Sequence, residues 1–154
     1  MRERPRLRLR RLARTGGWHA VCLKGTMQMG ALRVLVVDDE SLIRWAVTET
    51  LTEAGHDVVQ ATDAATALQA VRGMSEPFDV VLLDCRLPDS DDLSLLQRIR
   101  RLTPATAVVM MTAHGTTQMT SDAKELGAYD VIAKPFDVVS IPRVLAHACQ
   151  AKTH

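Results

Sequence analysis

Four apolar runs in this chain each give way to polar groups that an apolar run has no structural reason to carry. Asp38 and Asp39 follow Arg33–Val37, Asp84 follows Phe78–Leu83, Thr112 follows Ala107–Met111 and Lys134 follows Asp130–Ala133. Three carboxylates brought together repel one another and raise their own pKa values unless a cation compensates. With oxygen donors and no His or Cys at these positions, the set selects a hard divalent ion, Mg²⁺ or Mn²⁺, which keeps several waters and accepts phosphate oxygens. One lysine opposite such a cluster is suited to hold a transferred phosphoryl group, and a threonine hydroxyl can donate a hydrogen bond to it. The chemistry implied is phosphoryl transfer to a carboxylate, in which positioning and charge neutralisation do most of the catalysis.

Taken singly, each residue has a plainer explanation. An Asp after a strand is commonly a turn residue or a helix N-cap, and Lys134 before Pro135 can be a solvated loop residue. The turn explanation does not account for Thr112 and Lys134 at two further run ends, so the four together favour a site.

The elements that must position these residues alternate regularly. Arg33–Val37 reads as a buried strand, followed by a helix with Ile43, Val47 and Leu51 at helical spacing, N-capped by Ser41 and stopped at Gly55. Strands follow at Val58–Ala61, Phe78–Leu83, Ala107–Met111 and Asp130–Ala133. Helices are expected at Ala64–Arg72, Leu93–Leu102, about 117–126 and Ser140–Gln150, with Pro142 tolerated in a first turn. Strict alternation implies an α/β fold, a five-stranded parallel sheet covered by helices on both faces. In such sheets ligands bind beyond the carboxyl ends of the strands, so all four run ends fall on one rim.

A chain of 154 residues, 47% hydrophobic and 24% charged, is long enough for one folded domain. No apolar run approaches the ~20 residues of a membrane span, so no membrane association is expected. Cys22, Cys85 and Cys149 form no C-x-x-C pair, which argues against a disulfide framework or structural zinc and for a cytoplasmic location. The net charge of +1 conceals a division. Residues 1–30 carry seven arginines and Lys24 against Glu3 alone, and the remainder is acidic. Residues 1–30 therefore read as a basic, disordered extension without a folded role, with a nucleic-acid or lipid-binding arm and a transit peptide as alternatives. Residues 31–152 form the folded domain, and no output domain is expected.

The motifs Val34-Leu35-Val36-Val37-Asp38-Asp39-Glu40, Leu82-Leu83-Asp84-Cys85-Arg86-Leu87-Pro88, Met111-Thr112-Ala113 and Ala133-Lys134-Pro135-Phe136 resemble the receiver domain of two-component response regulators. The likeness covers about residues 32–150. Ser41-Leu42-Ile43-Arg44-Trp45 and Gly127-Ala128-Tyr129-Asp130 look most like receivers of NtrC-type activators. This resemblance implies a flavodoxin-like (CheY-like), doubly wound sheet with strand order 2-1-3-4-5. It implies Asp84 as phosphoacceptor from a sensor histidine kinase or phosphotransfer protein. Mg²⁺ would be held by Asp39, Asp84 and the backbone carbonyl of Arg86, with Asp38 reached through its water shell. Thr112 and Lys134 would bind the phosphoryl group and switch the domain, with Lys134–Pro135 a cis peptide. Arg86 and His114 occupy the positions that in the family tune phosphate lifetime. The expected output is a partner-binding surface formed by the fourth helix, fifth strand and fifth helix, with homodimerisation on phosphorylation as a further possibility and no direct DNA binding by the folded domain. By this reading the chain is a signal-transduction switch and not an enzyme in the turnover sense.

Two departures stand out. Val131 replaces the aromatic switch residue common three positions before the lysine, and Asp92 replaces a common glycine, where it reads as the N-cap of the third helix. Trp45 falls on the polar side of the first helix, either as an anchor for a phosphotransfer partner or as half-buried packing. Two other classes place similar residues after a strand. A haloacid-dehalogenase-type phosphatase needs a second Asp two residues after the first, where this chain has Arg86. A flavodoxin-like or nucleotide-binding module would carry a glycine-rich phosphate loop, which is missing.

Overall fold

The computed structural model describes residues 22–23, 26–27 and 30–151. The chain divides into two units, 1–30 and 31–154. In the first, β1 (Cys22–Leu23) pairs antiparallel with β2 (Thr26–Met27). The expectation for the rest of residues 1–30 lies outside the described residues.

The second unit follows the strand–helix alternation. Its strands are β3 (Arg33–Val37), β4 (Asp57–Ala61), β5 (Val80–Asp84), β6 (Ala107–Thr112) and β7 (Asp130–Ala133). Between and after them lie α1 (Ser41–Glu53), α2 (Ala64–Gly73), α3 (Ser94–Leu102), α4 (Thr117–Glu125), a 3-10 turn at Val138–Ser140 and α5 (Ile141–Gln150). All neighbouring strands are parallel, in the order β4-β3-β5-β6-β7, which is the expected 2-1-3-4-5 counted from the first strand of the sheet.

The three central strands are apolar on both sides because both sides are covered. Leu35, Val37, Val81, Leu83, Val108 and Met110 pack against α2, α3 and α4 through Leu68, Val71, Leu96, Ile99 and Ala123. Alternation sends Val34, Val36, Leu82, Val109 and Met111 to the other face, where α1 and α5 supply Val47, Leu51, Ile141, Leu145 and Ala148, all fully buried. Each buried Val, Leu, Ile or Met among them contributes about 1.5–3 kcal/mol, which holds five strand ends in a fixed common rim.

Local signals set the helix ends. Asp63 and Thr66 form a capping box on α2, and Thr116 caps α4. Gly55 and Gly127 adopt positive φ just past α1 and α4, a conformation that costs glycine little. Pro142 lies in the first turn of α5. For α3 the expected N-cap at Asp92 is corrected: Leu93 holds the cap position, and Asp92, one residue earlier, accepts the Ser94 N–H at 2.9 Å. The expected N-cap at Ser41 is corrected: Ser41 is the first helical residue, and Glu40 holds the cap position without a side-chain bond. The physical reason is Asp38, whose Oδ1 accepts the Glu40 N–H at 2.9 Å and tightens the turn, starting the helix one residue earlier. Asp84 and Thr112 are the last residues of their strands and not the first beyond them.

At the opposite edge of the sheet, His56 Nδ1 accepts the Leu32 N–H at 3.1 Å. Burial lowers its pKa from the ordinary value, against the opposing charge of Asp79. The unfolded chain therefore binds this proton more readily than the fold. Stability is fullest above about pH 6.5 and declines as pH falls toward the lowered folded value. His56→Asn, which keeps an acceptor but does not titrate, is expected to lose that part of the decline. The urea midpoints of the two proteins, compared between about pH 7.5 and about pH 5.5, measure it.

Candidate functional site

Asp38 is fully buried immediately after β3, and every polar group it has is engaged. Its N–H donates to Ala61 O at 3.1 Å and its carbonyl accepts from Arg44 Nη1 at 2.8 Å. Arg44, in the first turn of α1, also reaches Gln60 Oε1 at 3.1 Å, so one guanidinium ties the ends of β3 and β4 together. Of the Asp38 carboxylate oxygens, one takes the Glu40 N–H and the other takes Lys134 Nζ at 2.8 Å.

Lys134 follows β7, 96 positions away in sequence. Its side chain is only 7% exposed, and its ammonium donates to Asp38, to Asp84 Oδ2 at 3.2 Å and to Glu40 Oε1 at 3.3 Å. All three of its N–H bonds thus end on carboxylates. The Lys134 backbone N–H donates to Thr112 O at 2.7 Å, which ties the lysine to the end of β6. Lys134–Pro135 is cis, as expected.

Asp84, on the central strand, also accepts the Arg86 N–H at 3.2 Å through Oδ1. Burial and then the charge of Asp38 push its carboxyl up to about 6, against the Arg86 N–H and Lys134. Burial works against the charge on Lys134, but the hydrogen bonds and charges of Asp38 and Asp84 outweigh it and raise its pKa. The lysine therefore stays an ammonium. Removing one partner of such a buried pair costs about 3–5 kcal/mol.

Carboxylate oxygens of Asp38, Asp39 and Asp84 all lie within 4.8 Å of one another. The donor set is oxygen only, and Asp39 is exposed, which leaves a side open to water. These features fit a hard divalent ion that keeps part of its hydration shell.

Thr112 is buried, its Oγ1 accepts the His114 N–H at 3.2 Å, and its hydroxyl is hydrogen-bonded to the Cys85 thiol. Burial pushes that thiol up to about 11, so Cys85 is a small filler and not a nucleophile. Arg86 and His114 are exposed beside the site. The structure thus brings together Asp38, Asp39, Asp84, Thr112 and Lys134. Sequence reasoning gave Glu40 and Arg44 no role in this cluster, although both lie in the motifs that carried the resemblance.

A family model, response regulator receiver domain, matches residues 34–146. The chain belongs to the response regulator receiver family. Receivers of this family are regulatory phosphoacceptors of two-component signalling and generally bind Mg²⁺ at the acidic pocket. Among relatives, the DNA-binding transcriptional regulator NtrC of Proteus hauseri is 38% identical over 130 residues, 82% of this chain and 27% of that protein. Sporulation initiation phosphotransferase F of Bacillus subtilis is 37% identical over 109 residues, 71% of this chain and 86% of that protein. The crystal structure of NtrX from Brucella abortus superposes with a TM-score of 0.73 at 37% identity, covering 80% of this chain and 28% of that one. The chain therefore spans about a quarter of the NtrC proteins it matches.

An ion that binds only the folded receiver stabilises it, by about 2.7 kcal/mol at a hundred-fold excess over Kd. Millimolar MgCl₂ is expected to raise the thermal midpoint of the wild type, and Asp39→Asn to abolish most of that rise. Thermal unfolding with and without EDTA measures both.

Proposed function

We propose that Asp84 is the phosphoacceptor of this receiver. An Asp84 carboxylate oxygen attacks the phosphorus of a phosphohistidine on a sensor kinase or phosphotransfer protein. A P–O bond forms, the P–N bond breaks, and the donor imidazole leaves with its electron pair. Asp39 and Asp84, with Asp38 and the Arg86 carbonyl beside them, would hold Mg²⁺, which would supply the charge neutralisation that this transfer needs. Lys134 then trades its Asp84 hydrogen bond for one to a phosphoryl oxygen while Asp38 keeps its position fixed. Thr112 turns its hydroxyl from the His114 N–H toward the phosphoryl group. Arg86 and His114, exposed on either side, tune how readily water reaches the acyl phosphate. The observation that carries this reading is the Lys134 ammonium, shared by two buried carboxylates at the rim.

The donor docks on α1. Leu42 and Trp45, spaced i, i+3 on that helix, are 73% and 60% exposed. The 3-10 turn carrying the exposed Val139 packs against the same helix. Apolar side chains this exposed at the mouth of a charged site suit a partner that covers them. A downstream partner, or a second copy of the chain, reads the state of Asp84 through the face formed by α4, β7 and α5. No described helix is long and apolar enough to cross a membrane.

Acetyl phosphate with Mg²⁺ is expected to add one phosphoryl group to the wild type by intact mass and none to Asp84→Ala. Lys134→Ala is expected to be labelled yet to show no change in its amide spectrum on labelling, and an unaltered response there would contradict the role given to Lys134. Trp45→Ala is expected to slow labelling by a phosphorylated histidine donor by about ten-fold or more, the scale of losing a hot-spot aromatic. Its labelling by acetyl phosphate should be unchanged.

A further inference from the structure

Gly115 lies in the loop between β6 and α4, three residues after Thr112. Unlike Gly55 and Gly127, it does not have positive φ, so its backbone conformation does not call for glycine. What calls for glycine is space. A Cβ at this position would sit 2.8 Å from Thr112 Cγ2, closer than side-chain carbons pack. The Thr112 methyl therefore rests against the bare Cα of Gly115. Its hydroxyl is directed elsewhere, to the His114 N–H and the Cys85 thiol.

We infer that Gly115 is a positioning residue for the Thr112 switch: the contact between its Cα and the Thr112 methyl couples the Thr112 rotamer to the loop that leads into α4. The inference rests on the role proposed above for Thr112 and adds the route by which its movement leaves the site. Threonine is stiff at χ1, because two heavy atoms branch from Cβ. Turning the hydroxyl away from His114 must also carry the methyl off Gly115, since both move as one rotor. Gly115 is followed by Thr116, whose hydroxyl caps α4 by accepting the Met119 N–H at 3.1 Å. The contact and the helix cap thus fall on consecutive residues. An aromatic side chain at position 131 is not needed for this route. The residue there is Val131, half-buried against the α2–α3–α4 core, and Tyr129 lies outside β7 with 40% of its surface exposed.

The test is a double-substitution cycle that removes the one atom in conflict. Gly115→Ala places a methyl against Thr112 Cγ2 and disfavours the present rotamer. Thr112→Ser deletes Cγ2 and keeps the hydroxyl. In the unphosphorylated protein, Gly115→Ala is expected to move the amide resonances of residues 113–120 toward the positions they take in the wild type after treatment with acetyl phosphate and Mg²⁺. The double variant is expected to return them to those of Thr112→Ser alone. Intact-mass labelling of wild type and Gly115→Ala is read in parallel. Absence of labelling in the wild type would refute the phosphoacceptor reading itself. A labelled wild type, with Gly115→Ala resonances unmoved or moved in an unrelated direction, overturns the coupling alone. Should Gly115→Ala not fold, the double variant is expected to fold, and its failure to do so would also overturn the inference.

Discussion

The Lys134 ammonium, buried at the sheet rim with all three of its N–H bonds on carboxylates, is the contact around which the rest is arranged. One positive charge does not balance Asp38, Asp84, Glu40 and the adjacent Asp39. The surplus is negative and compact, and water is largely kept from two of the four carboxylates. A divalent cation would offset that surplus, and a phosphoryl group arriving beside it would return negative charge, so the two would be accommodated together. Burial first, and the charge of Asp38 after it, push the Asp84 carboxyl up to about 6. A proton, a metal ion and the lysine are all answers to one electrostatic demand.

Such an arrangement needs a frame that does not yield. Charges this close would drift apart or hydrate if their backbones could move. The parallel sheet prevents that by tying each strand end to the next. Asp38 N–H bonds to the end of β4, Lys134 N–H to the end of β6, and Arg44 clamps the β3 and β4 ends from α1. Beneath them, the central strands are closed on both faces by apolar side chains. The charged rim depends on the core, since a loosened strand end would release the site before it released the fold.

Stiffness below the rim contrasts with what lies above it. The loop from Ala113 to Thr116 is exposed and follows a threonine whose hydroxyl meets the His114 N–H and the Cys85 thiol. A glycine tight against that side chain makes the loop sensitive to its rotamer. The other exposed element, α1, presents Leu42 and Trp45 to solvent and holds Arg44 against Asp38 from its inner side. One helix thus presents apolar side chains to solvent on one side and braces the acidic site from the other.

Much of this was legible in the residues. Periodicity placed every strand of the main sheet and every helix to within a few residues, because buried parallel strands must be apolar and their covering helices amphipathic. The exceptions to apolarity at strand ends marked Asp38, Asp39, Asp84, Thr112 and Lys134, since a polar group in such a place needs a reason. Helix boundaries were less visible. Ser41 has the right chemistry for a cap, but Asp38 decides where α1 starts. Strand order came from the resemblance to receivers, because alternation alone leaves the winding open. Glu40 joins the ammonium, Arg44 holds a carbonyl across two strands, and Gly115 meets a methyl three residues back. Each of these depends on distances that spacing along a chain does not contain. Residue types and their order determined the chemistry and its rim, while the third dimension decided which groups share a proton, a charge or a place to stand.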